Sequence, residues 1–288
     1  MIPQAYITEW SNTVPWQTNE QVEQDLVICR VLVALFSDEL LAKSLAFRGG
    51  TALHKLYLNP QPRYSEDIDL VQISSDSFGL IIDRIKQQMA FLGEGKVKQK
   101  ENNNTIVYRF ESEFPPVQNL RLKIETNCRE HFSVLGLQQF PFTVNNAWFS
   151  GSCNITTYTL EELLGTKLRA LYQRRKGRDL YDMYKALTQV PTLNTEQIIQ
   201  CYKEYMSFVV DQPPTQKLFL QNMEAKMQDP DFLGDITALI RPIEQYNQYT
   251  AYDMLKTKKI RKIINLFTTY PPTLEVIVYL EGENVVLR

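Results

Sequence analysis

Apolar positions change their period several times along the chain, and the changes outline its elements. In residues 19–36, NEQVEQDLVICRVLVALF, Val22, Leu26, Cys29 and Val33 are spaced for one helical face. Thr18, with Gln21 three residues on, has the form of a capping box at its start. A shorter helix is predicted over 38–46 and a short strand at Ala46-Phe47-Arg48. Residues 51–57 read as a helix start, which Asn59-Pro60-Gln61-Pro62 breaks. Period two takes over in a strand at 68–73. An amphipathic helix follows over 76–92, with Phe78, Ile81, Ile82, Ile85 and Met89 on one side. Strands are predicted at 96–100, 105–111 and 120–126, the first two joined into a hairpin by the polar turn 101–104. More short strands and turns fill 132–157.

From Thr159 the pattern is mostly helical. Thr159 and Glu162 form a second capping box, followed by LEELLGTKLRALYQ, the basic run Arg174-Arg175-Lys176-Gly177-Arg178, and DLYDMYKAL. Helical patterns continue through 195–210, 215–227 and 231–267, punctuated by prolines. Residues 274–280 are strand-like, and 281–284 could turn them into 285–287. The expectation is an α+β fold with two regions. Residues 1–157 carry an N-terminal arm, holding Trp10 and Trp16, then helices and the strands. Residues 158–288 are mainly helical, and the active site lies in the cleft between the two regions.

Composition narrows the class. The 288 residues are 44% hydrophobic and 22% charged, which is ordinary for a globular chain. A net charge of −2 demands no nucleic-acid partner but leaves room for local basic patches. Cys29, Cys128, Cys153 and Cys201 lack the spacing of a zinc site and give no disulfide framework. The start, MIPQAYITEW, has no basic region followed by an apolar core, and no apolar run reaches the ~20 residues of a membrane span. A cytoplasmic protein without a membrane partner is the default. His54 and His131 are too few for a histidine-based site, and no GxxxxGK[ST] string is present.

The candidate chemistry gathers in residues 47–72, FRGGTALHKLYLNPQPRYSEDIDLVQ. In a strand, Asp67 and Asp69 project from one face and Ile68 and Leu70 from the other. Two carboxylates on one face repel unless a cation lies between them, and a hard divalent cation takes such oxygen ligands together with substrate phosphates. Gly49 and Gly50 allow backbone N–H groups close to phosphate oxygens. The plain alternative is a surface Asp-x-Asp beside a loop glycine pair. Glu125, on the polar face of the alternating Leu120–Glu125 run, can join the aspartates if the strands are neighbours. Otherwise it is an exposed residue paired with Lys123 or Arg121. Lys167, Arg169, Arg178, Asp179 and Asp182 lie on helices, where charges at such spacings often only bridge one another. Two basic runs, 174–178 and 256–262, could track an RNA backbone or be solvated faces. Tyr246, Tyr249 and Tyr252 could stack on bases, although helix packing accounts for them as well.

GGTALHKLY, followed by R-Y-S-E-D-I-D-L, resembles the AbiEii/AbiGii-type nucleotidyltransferase toxins, a branch of the DNA polymerase β-like nucleotidyltransferase superfamily. Thr51 stands where Ser is commoner. The gap from the glycines to the aspartates is longer than in classical members and similar to that of the AbiEii branch. K-L-R-A-L-Y-Q-R-R-K-G-R-D-L-Y-D-M resembles the family's second motif block, so that the resemblance spans roughly residues 45–185. It implies a nucleotidyltransferase fold with a mixed sheet, and NMP transfer from an NTP with Mg²⁺ or Mn²⁺ held by Asp67 and Asp69. Gly49, Gly50, Thr51, Arg63, Ser65 and Lys167 would bind the nucleotide. Glu125 would act as a further metal ligand or general base, and Asp179 would assist. It also implies the tRNA 3′ end or another RNA as acceptor, a cognate antitoxin, and a role in toxin–antitoxin or phage-defence systems. A phosphoryl group on Ser65 would add about −2 charge beside the triphosphate and inhibit. The alternatives are transfer to a small molecule or protein, and a non-catalytic nucleotide-binding module.

Overall fold

The computed structural model describes residues 2–241 and 243–257. The N-terminal arm forms α1 (Gln4–Ser11), and a turn then leads to the long helix α2 (Asn19–Ser37). What fastens the arm is a buried carboxylate. The indole N–H groups of Trp10 and Trp16 donate to Asp25 of α2 at 3.1 and 2.9 Å. Thr18 caps α2 as predicted, its hydroxyl accepting from the Gln21 amide. Leu26, Ile28, Leu32 and Leu35 are fully buried where α2 packs on the sheet.

After α3 (Glu39–Ser44) comes β1 (Leu45–Arg48), and the chain then turns through the glycines into α4 (Gly49–Ala52). That helix widens into a π-turn over Leu53–Tyr57. β2 (Asp67–Gln72) carries the aspartates, and the following helix, α5 (Gly79–Gln88), starts three residues later than the sequence pattern suggests. β3 (Lys96–Lys100) and β4 (Asn103–Glu111) form the predicted hairpin, with β5 (Asn119–Asn127) next to it. Instead of several short strands, residues 132–157 mostly build one long hairpin, β6 (Leu137–Asn145) and β7 (Ser150–Tyr158).

The seven strands form one mixed sheet in the order β3-β4-β5-β2-β1-β7-β6. β2 runs antiparallel to β1 and parallel to β5, while β1 runs parallel to β7. This register sets up the site. Arg48, Asp69 and Glu125 fall in one transverse row across β1, β2 and β5, and Lys123 lies opposite Asp67.

Helices then follow: α6 (Leu160–Gln173), α7 (Gly177–Gln189), α8 (Thr195–Ser207), α9 (Gln216–Lys226), α10 (Pro230–Gly234) and α11 (Gln248–Thr257). Thr159 caps α6, but Glu162 does not return the bond to complete a capping box. Its buried carboxylate instead accepts from the Val134 and Leu135 amides and from the hydroxyls of Ser133 and Tyr205. The single helical pattern over 231–267 resolves into α10, a turn-rich stretch and α11, and the predicted strands at 274–287 lie outside the described residues. In the turn-rich stretch, Ile240 makes a β-bridge to Arg63, and the Tyr64 amide donates to the Leu239 carbonyl at 2.8 Å.

Buried apolar side chains gather in two clusters. One joins α2, α5 and the sheet; the other joins α6 to α9 and α11. Leu53 and Leu58, from the segment after the glycines, pack with the helical cluster. Residues 49–58 therefore tie the sheet to the helices, and the candidate residues lie along that seam.

Candidate active site

The backbone at the glycines is shaped by what presses against it. Gly49 has φ of +82°, in the left-handed region, and a Cβ there would stand 2.2 Å from Asp69 Oδ2. A Cβ on Gly50 would stand 2.6 Å from Arg63 Nη2 and 3.2 Å from Ser65 Oγ. The two glycines bring the backbone against a carboxylate on one side and a guanidinium and hydroxyl on the other. Thr51 is buried, and its hydroxyl donates to the Asp67 carbonyl at 2.5 Å. The Ser65 hydroxyl, 2.8 Å away, is then left to donate to Thr51 Oγ1. Thr51 thus anchors the start of β2 and lines neither of the cavities described below.

Asp67, Asp69 and Glu125 come together on adjacent parallel strands, as the sequence pattern suggested. Lys123 bridges them, its ammonium 3.0 Å from Asp67 Oδ2 and 2.9 Å from Glu125 Oε2. Asn103 donates to the other Glu125 oxygen at 2.5 Å. Burial would raise the Glu125 carboxyl, but the bonds from Lys123 and Asn103 outweigh it and hold the group below the ordinary glutamate range. Asp69 goes the other way. Burial, reinforced by the charge of Asp67, pushes it above the ordinary aspartate range against the pull of Arg48, Lys123 and Lys167.

Behind the carboxylates lies a buried ionic hub on α7. Asp182 takes a bidentate pair from Arg63, Nε at 2.7 Å and Nη2 at 2.8 Å. His54 Nε2 lies 2.8 Å from the same carboxylate, and Lys167 Nζ lies 2.9 Å from it. Burial, with Arg63 adding to it, pushes His54 down to about 4, so the ring is neutral at pH 7 and donates through Nε2. Burial opposes ionisation of Asp182, but Arg63, Lys167 and His54 outweigh it and keep the carboxyl well below the aspartate range. Asp179, also buried, pairs with Lys167 at 3.2 Å and with Arg174 at 2.6 and 2.8 Å. Asp179 lines neither cavity; it holds the two cations that do.

Two cavities meet at Asp69, Glu125, Lys167 and Arg174. One, of about 200 Å³, is bounded by Gly50, Arg63, Ser65, Asp67, Lys123 and Leu239. The other, of about 220 Å³, extends past Gly49 to Arg48, Asn103, Asn127, Thr166 and Arg169. In its wall, Arg48 at 2.5 Å and Arg169 at 2.6 Å share the carboxylate of Glu130. All the sequence-predicted residues except Thr51, Asp179 and Asp182 therefore line one cavity or both. Sequence reasoning left Arg48, Asn103, Asn127 and Glu130 without a role, and gave Lys123 only that of an ion-pair partner of Glu125, a pair the structure contains. For Lys123 a signal existed, because the alternation that put Glu125 on the polar face put Lys123 there too.

The basic run 174–178 is largely neutralised from within. Arg174 pairs with Asp179, Arg175 with Asp229 at 3.5 Å, and Lys176 and Arg178 with Asp235 at 3.2 and 3.8 Å. Of the run 256–262, residues 258–262 lie outside the described residues. Tyr246 packs edge-on against Tyr181 and Tyr252 is buried, whereas Tyr249 is exposed.

The donor set of Asp67, Asp69 and Glu125 is all oxygen, as a hard divalent cation requires, and an ammonium already bridges two of its members. In these positions the groups are spread around Lys123. Among the described residues, no three acidic, histidine or cysteine side chains converge on a point that a metal ion could occupy. The residues fit a hard cation in the chemistry of their donors, while their present positions are set around the Lys123 ammonium. Among the described residues no helix is long and apolar enough to cross a membrane.

A family profile described as nucleotidyl transferase AbiEii toxin, type IV toxin–antitoxin system, matches residues 30–256, beyond the motif resemblance at both ends. The fold is similar to that of MenT4, a nucleotidyltransferase toxin of Mycobacterium tuberculosis H37Rv, with a TM-score of 0.63 at 17% identity over 94% of this chain and 91% of that one. It is also similar to that of JHP933 from Helicobacter pylori, with a TM-score of 0.53 at 16% identity over 88% of this chain and 93% of that one. At these identities the likeness is one of fold. No protein with a curated description matches the chain.

Proposed function

The chain belongs to the AbiEii family of nucleotidyltransferase toxins, and from that premise we propose that it transfers NMP from an NTP to the 3′ end of tRNA, with Mg²⁺, as the toxin of a toxin–antitoxin or phage-defence pair in the cytoplasm. The observation that carries the reading is the parallel register of β2 and β5. It sets Asp69 opposite Glu125 where two cavities meet, one on the glycine side and one beyond.

In this reading the triphosphate lies in the cavity of Gly50, Ser65 and Arg63, and the acceptor end enters the cavity of Arg48, Asn103, Asn127 and Arg169. Asp67, Asp69 and Glu125 would hold Mg²⁺ or Mn²⁺, which stabilises the attacking and leaving oxygens of a displacement at phosphorus. Lys167 faces both cavities and supplies positive charge where negative charge builds up on the phosphates. Asp179 and Asp182 restrain that ammonium so that it does not fold back onto Asp69. Glu125, held ionised, is the group placed to accept the proton of an attacking hydroxyl. The arginines and amides of the far cavity suit sugar–phosphate contacts, and this supports RNA as the acceptor class. A cognate antitoxin belongs to the same proposal.

The test is incubation with each labelled NTP, Mg²⁺ and total RNA, comparing wild type with Asp67→Ala. Label at RNA 3′ ends, absent with Asp67→Ala, is the expected result. Label in protein or in a small molecule would replace the acceptor, and NTP binding without transfer would make the chain a binding module.

A further inference from the structure

We propose that Lys123 is an internal counter-ion, holding the place of the divalent cation in the nucleotide-free protein and giving it up as that cation binds; the inference rests on the metal-dependent reading above. Its ammonium lies 3.0 Å from Asp67 and 2.9 Å from Glu125, bridging carboxylates from two strands. The register forces this closeness, because Lys123 is the cross-strand neighbour of Asp67 and shares a strand face with Glu125 two residues on.

The other cations around the site are engaged elsewhere. Arg48 and Arg169 pair with Glu130, Arg174 with Asp179, and Lys167 with Asp179 and Asp182. Among the described residues, the ion pairs of Lys123 go only to Asp67 and Glu125. An ammonium donates to carboxylates at hydrogen-bond distance, near 3 Å, whereas Mg²⁺ draws its oxygens to about 2.1 Å. The spread of the acidic groups is the arrangement that an ammonium imposes.

Lys123 also has somewhere to go. Its side chain is 21% exposed, against 9% for Lys167, and it borders the cavity that holds Gly50 and Ser65. A triphosphate in that cavity offers oxygens to the displaced ammonium while the cation takes over Asp67 and Glu125. Cation and nucleotide then bind with positive coupling, each removing an obstacle to the other. Without nucleotide, the cation has to displace Lys123 unaided and binds weakly.

Mn²⁺ bound to the 288-residue chain without nucleotide, read from the loss of the free Mn²⁺ resonance signal, tests this directly. Lys123→Met and Lys123→Gln should bind Mn²⁺ at least about tenfold more tightly than wild type, since the incoming dication no longer meets a unit charge a few ångströms away. Lys123→Arg, which keeps the charge, should stay near wild type, and adding Asp67→Asn to Lys123→Met should abolish the gain. Equal or weaker binding in both neutral variants, with wild-type circular dichroism, overturns the role of Lys123 and leaves the metal-dependent reading standing. Absence of Mn²⁺ uptake from wild type and both neutral variants at millimolar cation overturns both.

Discussion

Gly49 and Asp69 are fitted against each other so closely that no side chain can come between them, since a Cβ on Gly49 would stand 2.2 Å from Asp69 Oδ2 and 2.8 Å from its Cβ. The left-handed φ of +82° adds a second reason for glycine. Gly49→Ala should cost roughly 1–2 kcal/mol for the backbone alone. The larger effect should be on nucleotidyl transfer, because the clash moves a carboxylate of the site. Urea unfolding together with single-turnover transfer separates the two, and a fall in rate of about 10²-fold or more with a modest stability loss is expected.

Asp69 is held against its own preference, raised by burial and by the neighbouring Asp67 charge. Asp69→Asn removes that repulsion. Thermal unfolding of the cation-free protein should move upward by roughly 2–4 °C, as for about 1 kcal/mol in a chain of this size, while transfer activity disappears. A variant that is both more active and more stable would contradict the placement of Asp69 among the reacting groups.

Stability should fall in mild acid because of His54. In the folded chain its pKa is about 4, against an ordinary value of 6.5. Between those values the unfolded chain binds a proton that the folded chain does not, so stability declines as pH drops from 6.5 towards 4. At about 1.4 kcal/mol per pH unit, that window amounts to on the order of 3 kcal/mol at most. Asp182 acts in the same direction at lower pH. Its depressed pKa stabilises the fold above the ordinary aspartate value and ceases to as pH falls through the folded one. His54→Gln keeps an N–H for Asp182 without titrating, and urea unfolding between pH 4.5 and 7 should show a flatter profile.

Glu162 is the pin that holds residues 133–135 to α6. Glu162→Ala strips two half-buried backbone amides of their acceptor and removes one partner of the buried Tyr205 hydroxyl. A loss of about 2–4 kcal/mol is expected by chemical denaturation. Hydrogen exchange at Val134 and Leu135 should accelerate more than in the β2–β5 ladder.

The local grammar of the chain was readable. Alternation around Asp67 and Asp69, the β3–β4 hairpin and the caps at Thr18 and Thr159 depend on near neighbours, and these appear, although the Glu162 carboxylate leaves the Thr159 capping box for residues 133–135. What depends on register did not show. Alternation put Lys123 on the face of Glu125, but only the pairing of β5 with β2 brings it opposite Asp67. Likewise, Asp182 looked like one of several helix charges, because Arg63 and His54 reach it from 119 and 128 residues away. The basic run at 174–178 resembled an RNA-facing surface because Asp229 and Asp235, which neutralise most of it, lie more than 50 residues further on. Thr51 resembled a ligand-facing hydroxyl, and the short approach of the Asp67 carbonyl makes it a brace instead.

The bond from Tyr64 to Leu239 has a consequence for the order in which the protein becomes competent. Leu239 walls the cavity of Gly50 and Ser65, yet it is made 174 residues after Ser65. At roughly 5–20 residues per second, a ribosome reaches Leu239 on the order of ten seconds or more after Ser65. A nascent or truncated chain lacking Leu239 exposes the glycines and aspartates in a cavity open on one side. Synthesis itself therefore delays completion of this cavity wall until Leu239 has been made, well after the glycines and aspartates.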